Sequence, residues 1–125
     1  MDIREMVAQR LLNNTTLTAI TGTSIYRNRL PDTLKPPHVI ITLITKERVM
    51  NHDGYSGLSA ATVQISCFSA SQDQAIEMDD IVTESMESWP GDGVEDSFYD
   101  GEDDIFEQAT RIYHIPVDFR ISYHE

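Results

Sequence analysis

The 125-residue chain carries 21 Asp and Glu against 9 Lys and Arg, which gives a formal net charge of −12 at pH 7. The length fits a single domain over residues 1–125, and the charge argues against ordinary phosphate binding, because affinity for nucleic acid rests on Lys and Arg. One cysteine, Cys67, excludes an internal disulfide, and no stretch approaches the ~20 apolar residues of a membrane span. The N-terminus lacks the pattern of a secretory signal, so we expect a soluble protein kept in a cytoplasm.

The charge is distributed unevenly along the chain. Residues 1–70 hold 7 bases and 5 acids, whereas residues 71–125 hold 2 bases and 16 acids. A domain polarised in this way has two electrostatically complementary parts, so that copies of it could meet head to tail. The alternative interpretation is a solvated acidic face that only aids solubility.

The N-terminal third predicts a helix followed by a short strand. Residues 3–12 repeat apolar side chains at helical spacing, and residues 15–20 add a short turn that Gly22 closes. Residues 25–26 have the pattern of a short strand. Prolines at positions 31, 36 and 37 prevent regular structure before the next element.

Two longer strands follow. Residues 38–45 are rich in β-branched side chains and apolar on both faces, which is typical of a central strand, and residues 61–68 alternate as the return strand. Between them, residues 48–59 carry two turn signals, Asp53-Gly54 and Ser56-Gly57. We therefore predict a long hairpin loop over residues 48–59 that projects from the sheet.

A second helix is predicted after residue 70. Ser71 begins a capping box with Gln74, and Pro90-Gly91 stops the helix. Its apolar face carries the side chains Ala75, Met78, Val82, Met86 and Trp89. Its opposite face carries the acids Asp73, Glu77, Asp80, Glu84 and Glu87. Like charges at such spacing each cost a few tenths of a kcal/mol in an isolated helix, so nothing local rewards this acidic face.

The remaining chain predicts an acidic loop and a last strand. Residues 91–104 are rich in acids and turn signals and are predicted to project as a loop, with a strand fragment at residues 98–99. Residues 112–123 alternate between apolar and polar side chains, and Pro116 places that strand at an edge or a bulge. The predicted fold class is α+β: an antiparallel sheet of four to five strands with two helices packed on one face.

No motif in the chain points to catalysis. Counting Asp96 as the first position of a calcium loop puts acids at the fifth, ninth and twelfth positions, but Phe98 at the third position cannot ligate. The four histidines show no metal-ligand spacing, and no phosphate-cradling glycine motif is present. We therefore expect no enzyme, no metal site and no cofactor.

Several segments, taken in order, resemble the tail completion, or tail terminator, proteins of long-tailed bacteriophages. The resembling segments are residues 17–26, 30–31, 37–41, 63–68 and 117–123. The resemblance implies a structural virion protein that forms a hexameric ring of its own copies. That ring would cap the tail tube protein, stop tube polymerisation and join the tail to the head-completion or connector protein. It would assemble in the host cytoplasm and remain in the virion at the head–tail junction, and DNA would pass through it without specific binding.

Two surfaces are candidate contact sites in that assembly. The predicted loop is the candidate partner contact, through Arg48, Asn51, His52, Asp53 and Tyr55. The acidic helix face would either line the channel and repel DNA or dock on a basic partner. A competing hypothesis is a monomeric acidic binding module, such as an inhibitor or a nucleic-acid mimic, supported by the 16 acids after residue 70.

Overall fold

A computed structural model describes residues 2–27, 35–51 and 54–125, without the side chains of Asn51, Tyr55 and Ser56. The described residues form three helices, which are α1 (Ile3–Leu12), α2 (Thr15–Thr21) and α3 (Gln72–Glu87). They also form six strands, which are β1 (Ile25–Tyr26), β2 (His38–Asn51), β3 (Gly54–Ser69), β4 (Val94–Glu102), β5 (Ile105–Glu107) and β6 (Ile112–His124).

The strands form one open sheet in the order β1-β2-β3-β6-β4. Strand β5 pairs with residues 112–114, at the start of β6. The α+β class is confirmed, but the sheet has six strands and the structure has a third helix, α2. The sheet is also not wholly antiparallel, because β1 runs parallel to β2 through Ile25 opposite Val39. A strand of two residues carries no directional signal in its sequence, which is why this pairing was not predicted.

The helices and the sheet share one hydrophobic core. Alternate residues of β2, β3 and β6 are buried against α1, α2 and α3. The helices supply Ile3, Val7, Leu11, Leu17, Ala75, Met78, Val82 and Met86 to this core. Helix α3 ends at Glu87, and Trp89 is buried just beyond it. The predicted helical faces are therefore confirmed, apart from the position of Trp89.

The start of α3 is fixed by three polar side chains. The Ser71 hydroxyl oxygen accepts a hydrogen bond from the Gln74 N–H at 3.4 Å, as a capping box requires. The Gln74 side chain does not reach back to the Ser71 N–H itself. Instead, Ser69 Oγ donates to Gln74 Oε1 at 2.7 Å and accepts from the Ser71 N–H at 3.0 Å. Ser69 thus completes the capping network and ties α3 to the end of β3.

Both predicted loops are wrong, because each is largely strand. Strands β2 and β3 pair from His38 opposite Phe68 as far as Asn51 opposite Gly54. Gly57 has φ +86 and lies where the register shifts, so the Ser-Gly pair marks an irregularity inside β3 and not a turn. The second predicted loop contains β4, which pairs with β6.

Pro116 lies in β6, an interior strand between β3 and β4, so of the two predicted alternatives, an edge or a bulge, the edge is wrong. Its carbonyl oxygen accepts a hydrogen bond from the Asp103 N–H at 3.1 Å. Pairing along this side of β6 stops at Glu102 opposite Val117 and resumes at Ile105 opposite His114. The nitrogen of a strand residue points to the same side as its carbonyl, so the missing proline N–H falls at the break between β4 and β5.

A stack of three rings crosses the face of the sheet away from the helices. His38 and Phe68 have ring centroids 4.6 Å apart, and Phe68 and His114 have centroids 4.1 Å apart. Burial lowers the pKa of both histidines. Among the described residues, His38 Nδ1 and His114 Nε2 are buried without a hydrogen-bond partner. His114, which the alternation placed on the polar face, is therefore half-buried by stacking.

Candidate assembly surfaces

The end of the β2–β3 hairpin extends beyond the rest of the sheet. Pairing between β3 and β6 ends at Leu58 opposite His124, whereas β2 and β3 remain paired up to Asn51. We call residues 48–57 the arm. Its apolar side chains are accessible: Val49 is 38% exposed and Met50 is 62% exposed. The arm is thus a two-stranded extension that offers apolar contacts.

Three of the five predicted partner-contact residues, Arg48, Asn51 and Tyr55, lie in the arm. Arg48 lies at its base, and the backbones of Asn51 and Tyr55 take part in the hairpin pairing. His52 and Asp53 lie outside the described residues. The structure therefore places Arg48, Asn51 and Tyr55 on the hairpin. The role of all five residues in binding remains a prediction.

Ion pairs link the base of the arm to the end of β6. Lys46 Nζ pairs with Glu125 Oε1, and Arg48 Nε lies 3.7 Å from Glu125 Oε2. Across the sheet, Arg120 Nη2 donates to Glu47 Oε1 at 2.9 Å. Exposed pairs of this kind each contribute about 0–1 kcal/mol, so they orient the arm more than they stabilise the fold.

The predicted acidic face of α3 is exposed along its length. Its residues are Asp73, Glu77, Asp80, Glu84 and Glu87. A sixth acid of the helix, Asp79, is only 7% exposed and lies on the apolar side with Met78 and Val82. Its helical spacing from Ala75 is four residues, so the sequence held a signal of this burial that the prediction overlooked.

Asp79 meets β4 at a cluster of polar side chains. It is hydrogen-bonded to the Glu102 side chain, and Thr83 Oγ1 donates to Asp79 Oδ1 at 3.4 Å. Tyr99 Oη donates to Glu102 Oε1 at 3.0 Å. Burial, with the nearby Glu102 carboxylate, raises the pKa of Asp79 to about 7. Asp79 thus holds a proton through the weakly acidic range.

An acidic groove runs between α3 and β4. Its lining is Asp79, Asp80, Thr83, Glu84, Glu87, Ser88 and Glu102. The groove contains no basic side chain, and its rim continues into the edge strand β4. A surface of this charge favours a basic partner or repels a polyanion.

The edge formed by β4 and β5 combines acids with exposed apolar side chains. Residues 92–107 contain 8 acids and no Lys or Arg. Four large side chains in this segment are exposed, namely Phe98 at 60%, Tyr99 at 42%, Ile105 at 43% and Phe106 at 42%. Sequence reasoning found the acids here but missed the apolar edge, because residues 91–104 were assigned to a loop.

The sequence model of the tail completion protein gp17 family matches residues 5–124 of the chain. The chain belongs to this family. The resemblance seen in the sequence is thereby confirmed, and this family member is a structural tail protein.

A solved structure shares the fold of this family member. The matching chain comes from a structure described as the virion of a native gene transfer agent particle. The two folds agree with a TM-score of 0.78 at 17% sequence identity, over 98% of this chain and 95% of that chain. No curated protein matches the sequence.

The sheet order gives this family member a charge difference between its two edges. Strands β1, β2 and β3 come from the half with 7 bases and 5 acids, and β4, β5 and β6 come from the half with 16 acids. The bases Arg27, Lys46 and Arg48 lie on or beside β1 and β2. The uneven charge of the sequence therefore gives the two sides of the sheet different charges, with the acids concentrated on the side of β4 and β5.

The described parts of this family member carry no metal-binding group. No cluster of three or more His, Cys, Asp or Glu is placed to hold a metal ion within residues 2–27, 35–51 and 54–125. Cys67 is fully buried, and burial raises the pKa of its thiol. Within the same residues, no helix is long and apolar enough to cross a membrane.

Proposed function

We propose that this tail completion protein closes a ring of its own copies on the tail tube. The ring stops the addition of further tube protein and joins the tail to the head connector. Family membership supplies the general role. The observation that supports a ring is the polarity of the sheet, with bases toward one edge and 8 acids along the other. Complementary surfaces on opposite sides of one subunit favour head-to-tail contacts, which generate rings when the rotation closes.

The arm is the surface that we assign to the tube protein. It extends past the end of β6 and exposes Val49 and Met50. Apolar side chains on a projecting hairpin favour contact with another protein. Seated on the last tube ring, such arms would cover the surface to which the next ring adds. This contact would account for termination without any chemical reaction.

The acidic face of α3 suits a surface past which DNA moves. Helix α3 has six acids and no base, and five of its acids are exposed. Such a face repels phosphates, because binding to DNA needs Lys or Arg. A bore lined in this way would let DNA pass from head to tail without adhesion. Assembly in the host cytoplasm, with the ring left at the head–tail junction, completes the proposal.

Two kinds of particle test the proposed function. Particles made without this protein should show overlong tails or tails detached from heads in negative-stain images. Complementation with a variant that replaces residues 50–55 by a two-residue turn should give the same defect, although the purified variant folds. A variant that changes Thr15 and Ala19 to Ser serves as the control for the arm, because both are exposed on α2 and lie outside the proposed contact surfaces. Normal, infectious particles in the absence of the protein would contradict the proposal.

Solution size separates the ring from a monomeric acidic binding module. The acidic groove is the feature that favours such a module. Light scattering of the protein with assembled tube protein should reveal a bound oligomer if it is a cap. A protein that stays monomeric in that mixture, and that binds a basic protein instead, would support the module.

A further inference from the structure

We propose that neighbouring copies meet through the two edges of the sheet. The β4 edge of one copy packs against the β2 edge of the next copy. This inference rests on the proposed ring and specifies the interface within it. It concerns the contact between copies, and the arm and the tube protein do not enter it.

The first step is the exposure of the β4 edge. An edge strand with large exposed apolar side chains is a site where another chain adds. Phe98 is 60% exposed on β4, and Ile105 is 43% exposed on β5. Phe98 lies opposite Arg120 on the face away from the helices. The edge therefore has apolar area that a second copy could cover.

The second step is the charge of that edge, which excludes pairing with itself. The segment of residues 92–107 holds 8 acids and no base. A two-fold contact would bring two such segments together, and like charges facing each other across an interface cost several kcal/mol. The β4 edge must therefore meet a different surface of the second copy, which makes the contact head-to-tail.

The third step is the β2 edge, which differs from the β4 edge in charge. Strand β1 covers only Val39 and Ile40, and along residues 41–47, before the arm begins, no other described strand lies on that side of β2. Ile44 is 49% exposed at the register shift of this strand. Lys46 follows it on the same strand, and its ammonium, which pairs with Glu125 of the same chain, is a positive group on this edge. This edge thus offers apolar area and one cation to the acidic β4 edge.

The fourth step is strand direction. Three antiparallel pairings lead from β2 through β3 and β6 to β4, so β2 and β4 run in opposite directions. Copies related by rotation about an axis along the strands would place β4 antiparallel to the neighbour's β2. The register across the sheet connects Thr45 with Thr62, Thr62 with Arg120, and Arg120 with Phe98. Thr45 of one copy and Phe98 of the next would then lie at the same level.

Cross-linking tests this geometry directly. Thr45→Cys and Phe98→Cys are combined in one chain, and rings assembled on tubes are treated with a reagent that carries two maleimides. The native Cys67 is fully buried and does not compete. We expect a ladder of covalent oligomers from the double variant and no ladder from either single variant. Covalent dimers from Phe98→Cys alone would show a contact between two β4 edges and overturn the inference.

Charge reversal provides an independent test with a matched control. Asp96→Lys with Asp100→Lys reverses two exposed acids of β4, and Thr15→Lys with Ala19→Lys places two lysines at exposed positions of α2, outside both edges of the sheet. We expect the β4 variant to form at least about tenfold fewer rings on tubes, and the α2 variant to assemble normally. Thermal unfolding of both variants verifies that they fold.

The outcomes separate this inference from the proposed function. Wild-type rings on tubes, with no cross-linked ladder and with normal rings from the β4 variant, would overturn the edge contact and leave the ring intact. A wild-type protein that forms no ring on tubes would overturn the proposed function and the inference with it.

Discussion

Arg10 Nε donates a 2.8 Å hydrogen bond to the backbone carbonyl oxygen of Ser85, 75 residues away in the chain. Arg10 Nη2 lies 3.2 Å from Ser88 Oγ, and the guanidinium lies 5.4 Å from the centre of the Trp89 ring. Helix α3 has no basic residue in its last turn. A cation near the C-terminus of a helix stabilises it. Arg10 of α1 therefore supplies the positive charge at the end of α3 that the last turn of α3 does not contain.

Replacing this arginine should weaken the contact between α1 and α3. Arg10→Lys keeps the charge but loses the planar group that reaches Ser85 and stacks on Trp89. We expect the free energy of unfolding to fall by about 1–2 kcal/mol in urea denaturation. Arg111→Lys, at an exposed position, is the matched control and should change it by less than about 0.5 kcal/mol. Equal stability of the two variants would contradict this role of Arg10.

The proton on Asp79 should make stability fall as the pH rises. The pKa of Asp79 is raised to about 7 in the folded protein, chiefly by burial, against 3.8 as its ordinary value. The folded state therefore binds this proton more tightly than the unfolded state, and its contribution to stability is lost between about pH 4 and pH 7.

Asp79→Asn should remove this pH dependence, because an amide can donate to Glu102 at any pH. We expect the variant to be more stable than the wild type by about 1–2 kcal/mol at pH 8, with the difference shrinking toward pH 4. Urea denaturation across that range measures it. Asp80→Asn, on the exposed side of α3, should show no such trend. A constant difference between Asp79→Asn and the wild type would count against the buried proton.

The ring stack should produce the opposite pH dependence of stability, in a range that overlaps that of Asp79. Burial lowers the pKa of His38 and His114 below the ordinary value of 6.5. The unfolded state then binds more protons, so stability is fully present above pH 6.5 and is lost as the pH falls through that region. His38→Gln with His114→Gln should flatten the loss between pH 6.5 and 5. His124→Gln, at an exposed position, is the control and should leave the loss unchanged.

A glycine in the arm should be sensitive to substitution for conformational reasons alone. Gly57 has φ +86, and a Cβ built there meets no heavy atom within 4 Å. Gly57→Ala should therefore cost about 1–2 kcal/mol through backbone strain without a steric clash. Thermal unfolding measures the loss. Ala70→Gly, outside the arm, tests whether any change at a small exposed residue has the same effect. An unchanged midpoint for Gly57→Ala would contradict the strained conformation.

Periodic features of the fold were predictable from the sequence. The alternation in β6 and the helical spacing from Ala75 to Met86 both located buried faces that the structure confirms. Both patterns repeat over many residues, so a single exception does not hide them. The capping signal at Ser71 also placed the start of α3 correctly.

Features that depend on contacts between distant residues were not predictable. The Arg10 contact with Ser85 leaves no trace in either local sequence. The Ser56-Gly57 pair gave a false turn signal, since Gly57 occupies positive φ inside β3 where the register shifts, whereas Gly54 begins β3 opposite Asn51 at the end of the hairpin. A positive φ is required both in turns and in bulges, and the sequence alone does not separate these cases.

The central place of β6 also determines when the fold can form during synthesis. Strand β6 follows every other strand in the chain, yet β3 pairs with it along Leu58 to Ser69 and β4 pairs with it from Val94 to Glu102. A ribosome therefore releases β3 and β4 before the strand that joins them exists. Until translation reaches β6, the nascent chain exposes apolar residues of β3 and β4 that β6 later covers. Exposed apolar strands of this kind favour aggregation and the binding of chaperones.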